Sequence, residues 1–288
     1  MRQAFSRLLR VPLALALAGC SSGLLGATST PVPAAPPPTY ADIASLADAS
    51  EMIARVQIRN QAQVEAARAP GLKPGHARLY IEAQTEALVY GRSALGQSVT
   101  YLADVPLGSN GKPPKLKKQR MLLFARAVPG NVARLQLVGP NSQLPATPEL
   151  EAQIRAIATE LAATDSPPRV TSIQDALWVP GNLVGESETQ LFLGTKSGSP
   201  VTVSIVRRPG QEPQWGVSWD EVVDPSARPP EKDTLEWYRL ACSLPQSLPA
   251  SAVLSRDPRV RMEAERDYAL VMRDLGPCQR NLPAPLLP

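Results

Sequence analysis

Apolar and polar side chains alternate most regularly between residues 77 and 89. Ala77, Leu79, Ile81, Ala83, Thr85, Ala87 and Val89 share one side there, with Arg78, Glu82, Gln84 and Glu86 opposite. A period of two with one polar face predicts a half-buried strand in an antiparallel sheet. Met52, Ala54, Val56 and Ile58 alternate with Arg55, Gln57 and Arg59 in the same way. Val99 to Val105, Met121 to Ala127 and Ala133 to Val138 predict three further strands. No helical pattern separates them, so the expected arrangement is an antiparallel meander.

The period changes at Thr147-Pro148-Glu149, which has the marks of a helix start: an N-cap, a proline at the first helical position and an acid in the first turn. Leu150, Ile154, Ile157 and Leu161 then form one apolar stripe, predicting a helix over about 147–163. Strands are expected again at Thr189 to Thr195, Val201 to Arg207 and Gln214 to Val223, with Lys196-Ser197-Gly198-Ser199 as the turn between the first two. Helices are predicted at Tyr40 to Ala47, around Leu235 to Cys242, and from about Pro258 to Leu275. This order predicts an α+β fold: an antiparallel strand-rich body in two blocks (about 51–138 and 188–223), joined by the helix near 147–163 and followed by C-terminal helices. Residues 40–288 are read as one integrated body, with two sub-blocks (40–166 and 167–288) as the alternative.

The start of the chain is of another kind. Arg2, Arg7 and Arg10 form a positive segment without acids, Val11 to Ala18 is apolar, and small residues lead to Cys20. That is the layout of a secretory signal, too short in its apolar run to span a bilayer. Leu17-Ala18-Gly19-Cys20 resembles the lipobox of bacterial lipoproteins. The resemblance implies cleavage before Cys20, removal of residues 1–19 and acylation of the Cys20 thiol and amino group. Because Ser21 is not an aspartate, it also implies sorting to the periplasmic face of the outer membrane. A plain signal peptide cut near Ala27 is the alternative. Residues 20–39 then read as a Pro-rich tether, spanning about 24 Å as a coil or about 60 Å as polyproline II.

The leader changes the meaning of the charge. Of the formal +4, three charges are leader arginines, which leaves +1 on the remainder. Overall basicity is thus weak evidence for an anionic partner, and export argues against nucleic acid. The 31 prolines punctuate the chain at Pro113-Pro114, Pro167-Pro168 and Pro229-Pro230, where each pair is expected between elements. With Cys20 acylated, Cys242 and Cys278 remain as an even pair, read as a disulfide in an oxidising compartment.

Little in the chain points to catalysis. One histidine, His76, and two paired cysteines leave too few ligands for a zinc site, and no cofactor motif appears. No G-x-S-x-G elbow is present. Glu82 and Glu86 on one strand face would stand about 13 Å apart, beyond the separations of glycosidase pairs. Two clusters suit binding better. Lys112, Lys115, Lys117, Lys118 and Arg120 crowd a Gly/Pro-containing loop, a candidate patch for anionic headgroups or a polyanionic wall polymer. Trp215 and Trp219 share a strand face as either an aromatic platform or core. Around Gly111 to Lys118 and Trp237 to Cys242 the chain is similar to uncharacterised exported proteins of alphaproteobacteria, a resemblance that implies no activity and no site. The reading is a lipid-anchored periplasmic protein, non-enzymatic, that binds or scaffolds an envelope protein, lipid or wall polymer. An envelope hydrolase assembled near His76, or an accessory subunit of an outer-membrane assembly, are the alternatives.

Overall fold

The computed structural model describes residues 36–91, 93–220, 224, 226–283 and 285. The lipobox with Cys20, most of the tether, and the end of the strand expected at 214–223 lie outside the described residues. Helix α1 (Tyr40–Ala49) is followed by β1 (Met52–Gln63), β2 (His76–Gly91), β3 (Ser98–Pro106), β4 (Arg120–Val128), β5 (Asn131–Leu137) and β6 (Gln143–Pro145). After α2 (Pro148–Ala162) come β7 (Val170–Pro180), β8 (Ser187–Thr195), β9 (Val201–Arg207) and β10 (Gln214–Ser218), then α3 (Leu235–Ala241) and α4 (Pro258–Leu275). The fold is α+β, strand-rich, with two sheets and C-terminal helices.

The first strands do not form the expected meander. Their order is β1-β2-β3-β5-β4, and β4 pairs back onto β1, closing a barrel. Long β1 makes closure possible. It pairs with β2 along its length through three register shifts, and its first half also pairs with β4. Each shift bends the strand and increases its twist. The circuit, with its parallel β3–β5 contact, is that of a five-stranded Greek-key barrel of the OB type, an architecture that by itself assigns no function. Val56, Ile58, Leu79, Ile81, Val99 and Leu123 fill the interior together with the small residues Ala54, Ala83 and Ala125.

The second sheet, β10-β9-β8-β7, is a true antiparallel meander. Its inner face and helices α1 to α4 share one core with Ile53, Leu122 and Phe124 on the outside of the barrel. Helix α1 is the element around which this core is built: eight of its ten residues are buried. The buried Asp42 closes a capping box with Thr39 and also accepts the backbone N–H groups of Asn281 and Leu282. The C-terminal segment is thereby fastened to the start of the body. Cys242 and Cys278 form a disulfide with their Cα atoms 5.1 Å apart, joining the end of α3 to the segment after α4.

Candidate functional site

The basic loop between β3 and β4 is held as a rigid shelf. Lys118 N–H donates to Ile58 O and Ile58 N–H to Gln119 O, while Gln61 spans Leu116 N–H and Pro114 O. Leu116 is the anchor, 7% exposed and packed into the barrel core. Lys118 adopts φ +72°, a left-handed conformation that costs a non-glycine residue roughly 1–2 kcal/mol and persists only where surrounding bonds fix it. With the backbone bound to β1 and Leu116 turned inward, Lys112, Lys115, Lys117 and Lys118 are all exposed. None of the four makes an ion pair among the described residues.

Arg120 continues this shelf into a groove of about 570 Å³ between the first turn of α2 and the outer faces of β1, β2 and β4. Charges alternate along it. Arg120 Nε bonds Glu86 at 2.9 Å and Arg55 bonds both Glu86, at 3.1 Å, and Glu151, at 2.6 Å. Arg155, one helical turn beyond Glu151, bonds its other oxygen. Three guanidiniums thus bracket two carboxylates, and the outer two, Arg120 and Arg155, are 64% and 52% exposed at the side chain.

The arginines keep both carboxylates charged. The hydrogen bond from Arg120 holds Glu86 below the ordinary carboxylate range, with Arg55 adding to it. Burial pushes Glu151 the other way, but the hydrogen bonds from Arg55 and Arg155 outweigh it and the net shift is downward. A depressed folded value gives stability that is present above the ordinary value of 4.5 and is lost as pH falls through the folded value. We therefore expect the amides in the first turn of α2 to lose protection, relative to their intrinsic exchange rates, only as pH drops below the ordinary carboxylate range. The same pH-dependent loss in Glu151→Gln would count against this network as its cause.

Such carboxylates suit ion pairing better than proton transfer, since a general acid needs a raised value. Glu186 is occupied by the backbone N–H groups of Asn182 and Leu183 in a turn, and Glu188 accepts from Gln190. Half-buried His76 faces Pro74 O at 3.1 Å through Nδ1. Among the described residues no cluster of His, Cys, Asp or Glu could hold a metal ion.

No family model matches this chain, and no curated protein does. The aromatic pair does not stand as an open platform. Trp215 is 5% exposed, part of the shared core, and its indole N–H donates to Asp274 at 3.1 Å; Trp219 is half-buried against the same core. Between them, Gly216 lies under the Ala227 backbone, where a Cβ would come within 2.3 Å. That segment covers the side of β10 opposite the tryptophans, and the tryptophan face itself is taken up by the shared core. Lys112 to Lys118 were legible in the sequence as a run. The joining of Arg55 and Glu86 to the i,i+4 pair Glu151–Arg155 was not, because two strands and a helix deliver them.

Proposed function

We propose that this chain is a lipid-anchored, non-enzymatic binding protein of the cell envelope, held by lipid on Cys20 and presenting its basic shelf to anionic headgroups. The carrying observation is the shelf itself: four exposed lysines, without an ion pair among the described residues, on a loop fixed to the barrel and continuous with an arginine-lined groove. A fixed array loses less conformational freedom on contact than a mobile one. Each basic residue close to an anionic bilayer contributes about 1 kcal/mol. A tether of some 24–60 Å would keep the body within reach of the membrane that holds the lipid. The ionised, arginine-bound state of Glu86 and Glu151 favours this reading over a hydrolase.

Two measurements test it. Metabolic labelling with a palmitate analogue should mark the full chain and be abolished in Cys20→Ala. Sedimentation of the unlipidated Cys20→Ala protein with phosphatidylglycerol vesicles should be salt-sensitive and absent with phosphatidylcholine. The K112E/K115E/K117E/K118E variant should weaken it at least about a hundredfold. Unchanged partitioning would remove the shelf as the contact surface.

A further inference from the structure

The barrel has an open seam that the basic shelf does not use. Strands β3 and β5 start as neighbours but pair only at Thr100 and Arg134. Beyond that point a cleft of about 830 Å³ lies between residues 102–106 on one wall and 135–143 on the other. It is within the size range of ligand sites.

The ladders on either side leave backbone groups of both walls directed at the cleft. On β3, the bonds Leu107 N–H to Gly75 O and Thr85 N–H to Gln97 O fix the phase of the β2–β3 ladder. Alternation then directs the odd-numbered groups of β3 at β2 and the even-numbered ones, Leu102 and Asp104, at the seam. On β5, Val138 N–H bonds Phe124 O, so the same rule directs Leu137 away from β4 and into the seam. These are two strand edges facing one gap. An exposed edge is a template for another strand.

The chemistry of the cleft follows the same pattern. Ala103, Val105 and Leu135 come from the barrel interior and give it an apolar base, and Leu102 stands half exposed at the lip. Tyr101 reaches across below, its hydroxyl bonded to Gln143. Ser142 on the far wall is fully buried, with a hydroxyl that has no partner among the described residues. At the rim, Arg78 and Asp104 neutralise each other at 2.7 Å, which leaves Lys73 as the uncompensated charge.

We infer that the seam captures an extended peptide, which adds as a strand between β3 and β5. Its backbone completes the bonds of Leu102, Asp104 and Leu137, alternate side chains enter over Val105 and Leu135, and an acidic residue meets Lys73. Backbone bonds provide affinity in this mode and alternate pockets provide selectivity. The wall from 102 to 106 sets the length at about five residues, or roughly 17 Å.

The test has two arms on the full chain. In the free protein, amide hydrogen exchange at Leu102, Asp104 and Leu137 must be fast relative to Ala77, Leu79 and Ile81 in the β2–β3 ladder; equal protection overturns the inference. A panel of six-residue peptides alternating valine with threonine, glutamate or lysine is then titrated by NMR. Saturable protection of those three amides is expected, strongest with the glutamate peptide. It should weaken at least about tenfold when alternate peptide amides are N-methylated, and similarly in Leu102→Glu, which sets a like charge against the glutamate peptide at a half-exposed site. No protected seam amide with any peptide, or equal binding after N-methylation, overturns it. Perturbation confined to Lys112–Lys118 would assign the contact to the basic shelf instead.

Discussion

Replacing Asp267 with alanine is expected to destabilise the protein by about 3–5 kcal/mol. Asp267 lies on α4 with no exposure, and its carboxylate serves two strands of the second sheet. One oxygen accepts from Arg207 Nε at 2.6 Å on β9, and the other from the Thr189 hydroxyl on β8. Removing the carboxylate leaves a guanidinium only 16% exposed without its counter-charge, and a buried hydroxyl without its acceptor. The cost is that of stranded partners rather than the worth of the pair. For the same reason, the triple replacement Asp267→Leu, Arg207→Met, Thr189→Val should recover most of the loss. Urea unfolding at constant slope measures both. A loss below about 1 kcal/mol in Asp267→Ala would mean that solvent already screens the site.

Breaking the Cys242–Cys278 bridge is expected to remove about 4 kcal/mol, the loop-closure entropy for a separation of 36 residues. In a domain of this size that corresponds to a drop in Tm of roughly 10 °C. The native contacts beside the bridge do not need it: Trp237 Nε1 donates to Leu275 O at 2.8 Å and Tyr268 to Pro245 O. The loss should therefore act through the unfolded chain and leave the native fold intact. A second effect is local. Gln279, Arg280 and Asn281 bond Thr39 and α1, and amide exchange in this clasp should quicken in Cys242→Ser/Cys278→Ser. Calorimetry and exchange on the reduced and oxidised proteins check the two parts separately.

Much of the local structure could be read from the chain. Helix α4 begins at Pro258 behind an Asp257 cap and ends before Gly276, as its apolar spacing predicts, and α2 follows the Thr147-Pro148 signal. Strand β7 was not legible. Two bulges interrupt its pairing with β8, so the buried residues fall at Val170, Ile173, Ala176 and Trp178, a spacing that hides the period of two. Strand β6 is three residues long and too short to show a period. In the candidate site, the lysines were visible as a run. The alternating Arg–Glu groove was not, since its members are brought together only when α2 packs against the barrel.

The sequence by itself determined where the helices and most of the strands form, which face of each turns inward, and which two cysteines remain to pair once Cys20 is read as lipid-bearing. Side-chain period and cap chemistry act over a few residues, so they are written locally. The tertiary structure alone decided that five strands close into a barrel, that β3 meets β5 in parallel at one point, and that an open seam remains beyond it. Every strand offers the same N–H and C=O groups along its edges. Which edge finds which partner is therefore settled by bulges, loop reach and competition for burial across the whole chain.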